Sequence, residues 1–232
     1  GSEARAGQVV LAGGTVMEGA EVALAAACGQ AELKVFCRPR VAIVATGDEL
    51  VEVEATPGPE QIRNSNGYGL AELVARAGGE AVRLRIARDR REDLEKMIGE
   101  ARTCDLMLLS GGVSMGKYDL VEEVLEGLGA EFFFTGVRMQ PGKPVVFGRL
   151  PASVFFFGLP GNPVSTQVTF HCFVEPMLRA MGGAAGVRGP RFVQATLGED
   201  VAGKAGLMRV LPARLVSDRV RPEVRLGGGQ GA

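Results

Sequence analysis

The chain has 232 residues, of which 46% are hydrophobic and 23% charged, and its formal net charge is −1. This length suits one large domain or two small ones. The balance is typical of a soluble globular protein and offers no basic footprint for nucleic acid. The longest apolar runs, such as residues 155–157, are too short to cross a membrane, and the chain has no charged leader followed by an apolar core. We therefore expect a cytoplasmic protein that binds neither nucleic acid nor membranes.

Cysteine and histidine give little support to metal or nucleophilic chemistry. Cys28, Cys37, Cys104 and Cys172 are scattered, without a C-x-x-C pair. We expect buried free thiols in a reducing compartment rather than disulfides or a zinc site. The single His171 lies in an apolar run, which favours a packed helical residue over a catalyst and leaves Ser-His-Asp chemistry without support.

The first half of the chain alternates between strand-like runs and helical spacings. Residues 41–45 form a continuous β-branched run, typical of a central parallel strand. Ser65 or Asn66 is predicted to cap a helix over residues 67–77. The other elements predicted here are a helix over 22–28, a strand over 32–37, a strand over 82–86 and a helix over 91–102.

The second half begins with a short apolar run, residues 105–109, of the kind that forms a buried strand. Asp119 is predicted to begin the next helix, and Pro176 to kink or end a later one locally. Residues 191–226 alternate without helical periods, which predicts a small antiparallel β module. The remaining predicted elements are strands over 131–135, 145–147 and 154–157 and a helix over 164–181.

From residue 41 to residue 181 the predicted order is β-α-β-α-β-α-β-β-β-α. This order predicts an α/β fold with a doubly wound, mostly parallel sheet, followed by a partial antiparallel β-barrel module. We expect residues 38–184 to form the α/β domain and residues 185–232 an incomplete β module. Residues 1–37 are interpreted as a connection from a missing or truncated N-terminal region, so that the chain is expected to be a fragment.

The loop after the third strand, residues 110–116, carries three glycines within the six positions 111–116. Glycine lets a backbone turn sharply or approach a ligand closely. A strand, such a loop and a helix N-terminus present free backbone N–H groups, which suit an anion. Parallel sheets bind ligands at the carboxyl ends of their strands, where residues 46–49, Asp89 and residues 159–163 also fall. A tight turn that needs glycine for its shape alone is the plainer alternative.

Four carboxylates follow these strands: Asp48, Glu49, Asp89 and Asp119. Like charges in one crevice resist joint ionisation unless a cation lies between them. Mg²⁺ is commonly bound through one or two carboxylates, with waters and substrate oxygens completing its shell. The alternative is that these are solvated loop charges.

Two further residues could contact an anion. Lys143 lies between Pro141 and Pro144, whose fixed φ angles would restrain it as a point charge. The alternative is a surface lysine in a turn. Asn162 is predicted to cap the following helix and to leave its N–H groups directed at an anion. Metal-assisted phosphate chemistry is the reaction class that these residues best support.

Five ordered blocks resemble the molybdopterin molybdotransferase family, which includes bacterial MoeA proteins and the C-terminal domain of gephyrin. The resemblance covers residues 41–181 and is weak elsewhere. The blocks are Thr46-Gly-Asp-Glu-Leu50, Ile62-Arg-Asn-Ser-Asn66, Ser110-Gly-Gly-Val-Ser-Met-Gly116 with Asp119, Met139-x-Pro-Gly-Lys-Pro144, and Leu159-Pro-Gly-Asn-Pro-Val-Ser165.

The resemblance implies insertion of molybdate into the dithiolene of adenylylated molybdopterin, with release of AMP and a requirement for a divalent cation, taken as Mg²⁺. It also implies a homodimer and a MogA-type adenylyltransferase as a possible partner. Glu49, Asp89, Asp119 and Lys143 match positions with functional roles in the family, with Glu49 and Asp119 as metal ligands. The ligand-binding positions carried over are Thr46, Gly47, Asp48, Ser65, Asn66, Gly111, Gly112, Val113, Ser114, Pro141, Gly142, Gly161, Asn162, Pro163 and Arg209.

The chain departs from the family at Gln140, where many members carry lysine, so one positive charge at the oxyanion site is missing. The rival enzyme is a molybdopterin adenylyltransferase of the MogA type, which shares the fold and a Ser-Gly-Gly loop. The Gly-Gly-Val-Ser sequence before Asp119 and the following β module argue against it. A scaffold or a fragment that binds ligand without catalysis is the non-enzymatic alternative.

Overall fold

The computed structural model describes residues 4–112, 120–187, 189–203, 205–217 and 222–227. Nine strands lie within the first 159 residues and four after residue 195, all in the described part. The strands are β1 Arg40–Ala45, β2 Leu50–Val51, β3 Ile62–Arg63, β4 Glu80–Arg83, β5 Leu106–Ser110, β6 Glu131–Thr135, β7 Met139–Gln140, β8 Val146–Arg149, β9 Phe155–Leu159, β10 Thr196–Leu197, β11 Met208–Arg209, β12 Ala213–Ser217 and β13 Glu223–Leu226.

Helices occupy most of the intervals between the longer strands. A 3₁₀ turn, Pro151–Ser153, precedes β9, and a π-helical turn, Phe170–Val174, joins the last two helices. The helices are α1 Gly19–Ala27, α2 Ser65–Arg76, α3 Arg91–Ala101, α4 Leu120–Gly127, α5 Pro163–Thr169 and α6 Glu175–Met181. None of the helices in the described ranges is long and apolar enough to cross a membrane.

The main sheet has six strands in the order β4-β1-β5-β9-β8-β6. The first four are mutually parallel, whereas β8 runs antiparallel to both β9 and β6. The chain passes through β1, α2, β4, α3, β5, α4, β6, β8, β9 and α5 in turn. This is the predicted order, and the expectation of a doubly wound, mostly parallel sheet is confirmed.

Alternate residues of the central strands face opposite hydrophobic cores. Ala42 and Val44 of β1 pack with buried residues of α3 and α4, and their neighbours Val41 and Ile43 pack with α2 and the C-terminal helices. Because both faces of the sheet are covered by helices, the central strands are apolar without interruption. The loops at the strand ends are therefore the part of the sheet that remains open to a ligand.

Three predictions for the first half need correction. Residues 32–37 do not form a strand, and the side chains of Val35 and Phe36 are 69% and 65% exposed. The strand expected at 82–86 is β4, which begins at Glu80 because its pairing with β1 starts at Arg40. The helix cap is Asn64, whose Oδ1 accepts from the Gly67 N–H at 2.9 Å, and neither Ser65 nor Asn66 fills that role.

The long helix of the second half changes its winding where proline was predicted to disturb it. The π-helical turn ends at Val174, and Pro176 then lies in the first turn of α6, where its missing N–H does no harm. His171 lies on this turn, but it is exposed rather than packed, and its Nδ1 lies 2.8 Å from Glu175 Oε2. Its expected place in the core was wrong.

The C-terminal region contains a small sheet in the order β10-β13-β12. Strands β12 and β13 pair antiparallel as expected, whereas β10 and β13 pair parallel, so that the module is mixed. A separate pair joins β11 to β7 in parallel. This pair connects the region after residue 190 to the loop that precedes β8.

The four thiols are free, as predicted, but they differ in burial. Cys104 is buried and Cys172 partly buried, whereas Cys28 and Cys37 are exposed, contrary to the expectation of a buried set. Burial raises the pKa of the Cys172 thiol above its usual value.

Candidate functional site

The loops after β1 and β5 touch at the carboxyl edge of the sheet. The Thr46 N–H donates to the Ser110 carbonyl at 3.0 Å, and a methyl group on Gly111 would overlap the Thr46 carbonyl oxygen. Gly111 and Gly112 have φ angles of +94° and +66°. Glycine is therefore required here for the close approach of the two loops and for its backbone conformation.

The segment after β4 lies along the loop after β1. A parallel bridge joins Ala87 to Thr46, and the Thr46 hydroxyl donates to Asp89 Oδ1 at 2.9 Å. The Asp89 N–H donates to Asp48 Oδ1 at 3.3 Å. Asp48 and Asp89 thus lie side by side at the rim, each with one carboxylate oxygen engaged by the protein and both side chains largely open to solvent.

Glu49 follows Asp48 on the same loop and is exposed. Its carboxylate lies against Gly47, where any side chain would clash with it. The Glu49 carbonyl accepts from the Ile62 N–H at 2.8 Å, through the short parallel pair β2 and β3. This pairing holds the main chain of Glu49 next to the segment that leads into α2.

Asn66 connects two other loops of the same edge. Its Nδ2 donates to Ser110 Oγ at 3.1 Å and to the Gly161 carbonyl at 2.7 Å. Gly111 and Gly161 also approach each other, since a methyl group on Gly161 would lie 3.7 Å from Gly111 Cα. The Asn66 amide nitrogen is therefore bonded to two acceptors of the protein itself, whereas the neighbouring Ser65 is exposed.

Asn162 caps α5, as predicted. Its Oδ1 accepts from the N–H groups of Val164 and Ser165 at 3.0 and 3.2 Å, and Pro163 occupies the first turn. The expectation that this cap leaves the N–H groups directed at an anion is wrong for those two donors, because the Asn162 side chain takes both.

The loop that carries Lys143 lies at the same edge of the sheet. Val146 of β8 pairs with Gly158 near the carboxyl end of β9, so the loop before β8 emerges beside that end. Gly142, with φ +105°, is buried against the Thr169 side chain at the far end of α5. Lys143 is exposed, and no hydrogen bond or ion pair joins its side chain to the acidic residues in the described part of the chain.

Arg209 comes close to this loop through the pairing of β11 with β7. It lies opposite Gln140, and the Val210 N–H donates to the Gln140 carbonyl at 2.8 Å. The Arg209 guanidinium bonds to the Ala202 carbonyl. The chain thus places a cation beside the position where the family often has lysine, with Pro141 between Gln140 and the buried Gly142.

The acidic side chains that the structure describes do not form a closed metal site by themselves. Among residues 4–112, 120–187 and the described segments beyond, no three His, Cys, Asp or Glu side chains are arranged to hold a metal ion. Val113, Ser114 and Asp119, three of the predicted site residues, lie outside the described residues. The grouping of Glu49 with Asp119 as metal ligands therefore stays a prediction.

A cleft of about 620 Å³ lies at the opposite edge of the sheet. Residues 11–18 and 33–36 form one wall, and the C-terminal ends of α2 and α6 form the other. Lys34, Arg38 and Arg76 make its lining basic. None of the predicted site residues lines this cleft, so it is separate from the candidate site.

Sequence reasoning missed two residues that build the site. Ser110 Oγ accepts a hydrogen bond from the Asn66 amide, and the Arg88 guanidinium donates to carbonyls of the Asp48–Leu50 turn. Ser110 stands in the predicted glycine loop and in one of the family blocks but was given no role, and no local pattern distinguishes Arg88 from its arginine-rich surroundings. Their roles depend on contacts between segments more than 35 residues apart.

The fold is that of a doubly wound α/β domain, and the loop contacts gather the candidate site residues at the carboxyl edge of its sheet. Residues 42–180 match a family model described as a probable molybdopterin binding domain. The match covers more than half of the chain, and the chain belongs to this family of molybdopterin-binding domains.

Named relatives agree with this assignment. The chain is 42% identical over 193 residues to a molybdopterin molybdenumtransferase of Nostoc sp., and 35% identical over 204 residues to one of Staphylococcus aureus. These alignments take in 82% and 86% of this chain but only 44% and 48% of the relatives. The chain therefore spans about half the length of the curated relatives that it matches.

A solved structure, a molybdopterin biosynthesis MoeA protein from Pyrococcus horikoshii, superposes with a TM-score of 0.79 at 32% identity. It covers 93% of this chain, which in turn spans 52% of that protein. The similarity extends beyond the matched family segment, and therefore includes part of the C-terminal β region.

Proposed function

We propose that this chain is the molybdopterin-binding part of a molybdopterin molybdenumtransferase, acting in molybdenum cofactor biosynthesis. The reaction is insertion of molybdate into the dithiolene of adenylylated molybdopterin, with release of AMP. The observation that carries this proposal is the Asn66 bridge between Ser110 and Gly161, at the rim where Thr46 and Gly111 also meet. The curated relatives carry the corresponding name.

In this proposal the backbone N–H groups of the glycine loop after β5 bind the phosphate of the nucleotide ester. Gly111 and Gly112 let the backbone approach closely, and Val113 and Ser114 continue the loop on which the predicted contacts depend. The acidic side chains lie on the neighbouring rim, where Asp48 and Asp89 are already placed by hydrogen bonds. A phosphate and an oxyanion would therefore lie next to exposed carboxylates.

Such a juxtaposition favours a cation between the negative groups. Glu49 and Asp89 offer exposed carboxylate oxygens, which are the donors that Mg²⁺ prefers, and Mg²⁺ is often held by only one or two carboxylates. Glu49 and Asp119 would hold the ion, and the bound ion would neutralise charge on the substrate oxygens. Because position 140 is glutamine rather than lysine, Lys143 and Arg209 would be the residues that contact molybdate.

The working protein is further proposed to be a cytoplasmic homodimer that receives its substrate from a MogA-type adenylyltransferase. Sedimentation equilibrium would test the dimer, since a monomer at micromolar concentration would contradict it.

We further propose that the α/β domain spans residues 38–184 and the β module residues 185–232.

The direct test is incubation of the chain with adenylylated molybdopterin, molybdate and Mg²⁺. We expect AMP release together with molybdenum retained on the pterin. Synthesis of the adenylate from molybdopterin and ATP would instead identify an adenylyltransferase. Tight binding of the substrate without either reaction would identify a ligand-binding or scaffolding piece.

Asp119→Ala is expected to abolish turnover with little effect on unfolding, because the proposed role of Asp119 is to hold the ion. Glu126→Ala, a matched loss of one carboxylate on α4, should leave turnover unchanged. Near-wild-type activity of Asp119→Ala would remove Asp119 from the mechanism.

A further inference from the structure

We propose that Arg88 is a positioning residue for Glu49, acting on the main chain of the loop that carries this carboxylate. The inference rests on and deepens the proposed function, because Glu49 is one of the two metal-binding carboxylates in that proposal. Arg88 touches no reacting group in this account. Its effect passes through the backbone on either side of Glu49.

A single guanidinium nitrogen binds the carbonyls on both sides of Glu49. Arg88 Nη1 donates to the Asp48 carbonyl at 3.0 Å and to the Leu50 carbonyl at 3.4 Å. Bonds from a charged donor are stronger than those between neutral groups. The carbonyls of the residues before and after Glu49 are therefore tied to one side chain.

The peptide of Glu49 itself is held from another direction. Its carbonyl accepts from the Ile62 N–H at 2.8 Å, and the Leu50 N–H donates to the Gly47 carbonyl at 3.3 Å. Three consecutive carbonyls, those of Asp48, Glu49 and Leu50, thus have donors outside the turn. The carbonyl oxygens of this turn are therefore engaged, whereas the Glu49 carboxylate is exposed.

Arg88 is itself fixed at its main chain. Its N–H donates to Asp93 Oδ2 at 3.2 Å, and Asp93 Oδ1 accepts from Arg85 Nη2 at 3.2 Å. The hydrogen bond from Arg85, followed by that from the Arg88 backbone, holds the pKa of Asp93 below its usual value. Asp93 stays ionised near neutral pH, in the first turn of α3, and anchors the segment from which Arg88 extends.

This arrangement fits a positioning role better than a purely structural one. Arg88 is exposed, and the turn that it binds packs no large core residue, so its loss leaves both hydrophobic clusters intact. A catalytic carboxylate must be held close to its productive geometry by supporting contacts. Arg88 supplies such support to the carbonyls of Asp48 and Leu50, as the Ile62 N–H does to the carbonyl of Glu49.

The test compares Arg88→Met, which keeps an apolar stem without donors, with Arg88→Lys. Arg90→Met is the matched control, because it removes the same charge two residues further along the chain. The Arg90 side chain makes no hydrogen bond or ion pair within the described residues. The first readout is amide hydrogen exchange of Leu50 and Ile62 in the unliganded chain, measured by NMR. The second is steady-state molybdate insertion, with kcat and KM determined separately.

In Arg88→Met we expect exchange at both amides to rise about tenfold, from loss of charge-assisted hydrogen bonds. We expect kcat to fall about tenfold and KM to stay within about twofold. Arg88→Lys should recover part of both losses, and Arg90→Met should match the wild type. Combined with Glu49→Gln, Arg88→Met should lower kcat by less than about twofold further, since both changes act on one group.

Unchanged exchange in Arg88→Met would overturn the inference, and so would a fully multiplicative loss in the double variant. If the wild-type chain lacks insertion activity, the proposed function fails by itself. Amide exchange at Leu50 and Ile62 then decides by itself whether Arg88 fixes the turn. Exchange rates in Arg88→Met equal to those of the wild type would refute the positioning role.

Discussion

The side-chain amide of Asn66 donates to the Gly161 carbonyl at 2.7 Å, which ties the start of α2 to the loop after β9. The same nitrogen reaches Ser110 Oγ, at the end of β5. Three segments that are distant along the chain therefore share one donor group. Any ligand bound between the β5 and β9 loops depends on that contact for their spacing.

Asn66→Ala should lower the free energy of unfolding by about 1–2 kcal/mol, the usual effect of losing hydrogen bonds to partly buried acceptors. It should also weaken molybdopterin binding, because the two loops lose their common tie. Thermal unfolding and titration calorimetry would measure the two effects. Glu72→Ala is the control, since Glu72 is exposed on the same helix and has no predicted role at the site; equal effects of the two substitutions would contradict the bridging role.

Gly111→Ala should destabilise the fold by about 1–3 kcal/mol, since its φ of +94° disfavours a side chain and the methyl group would overlap the Thr46 carbonyl. Ligand binding should be lost at the same time. The control is Gly99→Ala in α3, where a methyl group meets open space; it should raise stability by about 0.5–1 kcal/mol. Chemical denaturation would measure both, and a neutral Gly111→Ala would show that the loops do not need this close approach.

Glu175 contributes to stability in a pH-dependent way. Burial alone would raise the pKa of Glu175, but hydrogen bonds from His171 and Arg179 outweigh it and bring the pKa below the usual 4.5. A carboxyl whose pKa is lowered on folding adds stability above its unfolded pKa, and loses that contribution as the pH falls through its folded pKa.

The free energy of unfolding should therefore differ between the wild type and Glu175→Gln above pH 4.5, and converge below it. Urea denaturation at a series of pH values would measure the difference. Glu95→Gln is a comparison, since the i,i+4 pair of Glu95 with Arg91 is 3.6 Å long and exposed on both sides. If the difference in free energy of unfolding between the wild type and Glu175→Gln persists unchanged well below pH 4.5, this linkage is excluded.

Thiol reactivity should follow burial rather than the clustering of cysteine with apolar residues. Cys28 and Cys37 are exposed and should react rapidly with Ellman's reagent, while buried Cys104 should react only on unfolding. Cys172 should be slow, because burial raises its pKa and lowers its thiolate fraction. We expect two fast equivalents in the native chain, and none in Cys28→Ser/Cys37→Ser; four fast equivalents would contradict the described packing.

Much of the α/β fold was predictable because its signals are local. The β-branched run of residues 41–45 and the helical spacing of residues 91–102 depend only on which neighbours are apolar, and both elements formed within a residue or two of expectation. The expected strand at 32–37 failed for the opposite reason. Its apolar pattern was adequate, but a strand also needs a partner, and no neighbouring strand pairs with it in the described chain.

The sequence by itself determined the order of the elements, the glycines at the strand ends and the family resemblance, since these depend on residue type and spacing. Only the tertiary structure decided which polar groups are engaged: Asn66 with Gly161, Thr46 with Asp89, and Arg88 with the carbonyls around Glu49. Hydrogen bonds between segments 38 to 95 residues apart require the folded chain to bring donor and acceptor within about 3 Å, and spacing along a sequence carries no record of that distance.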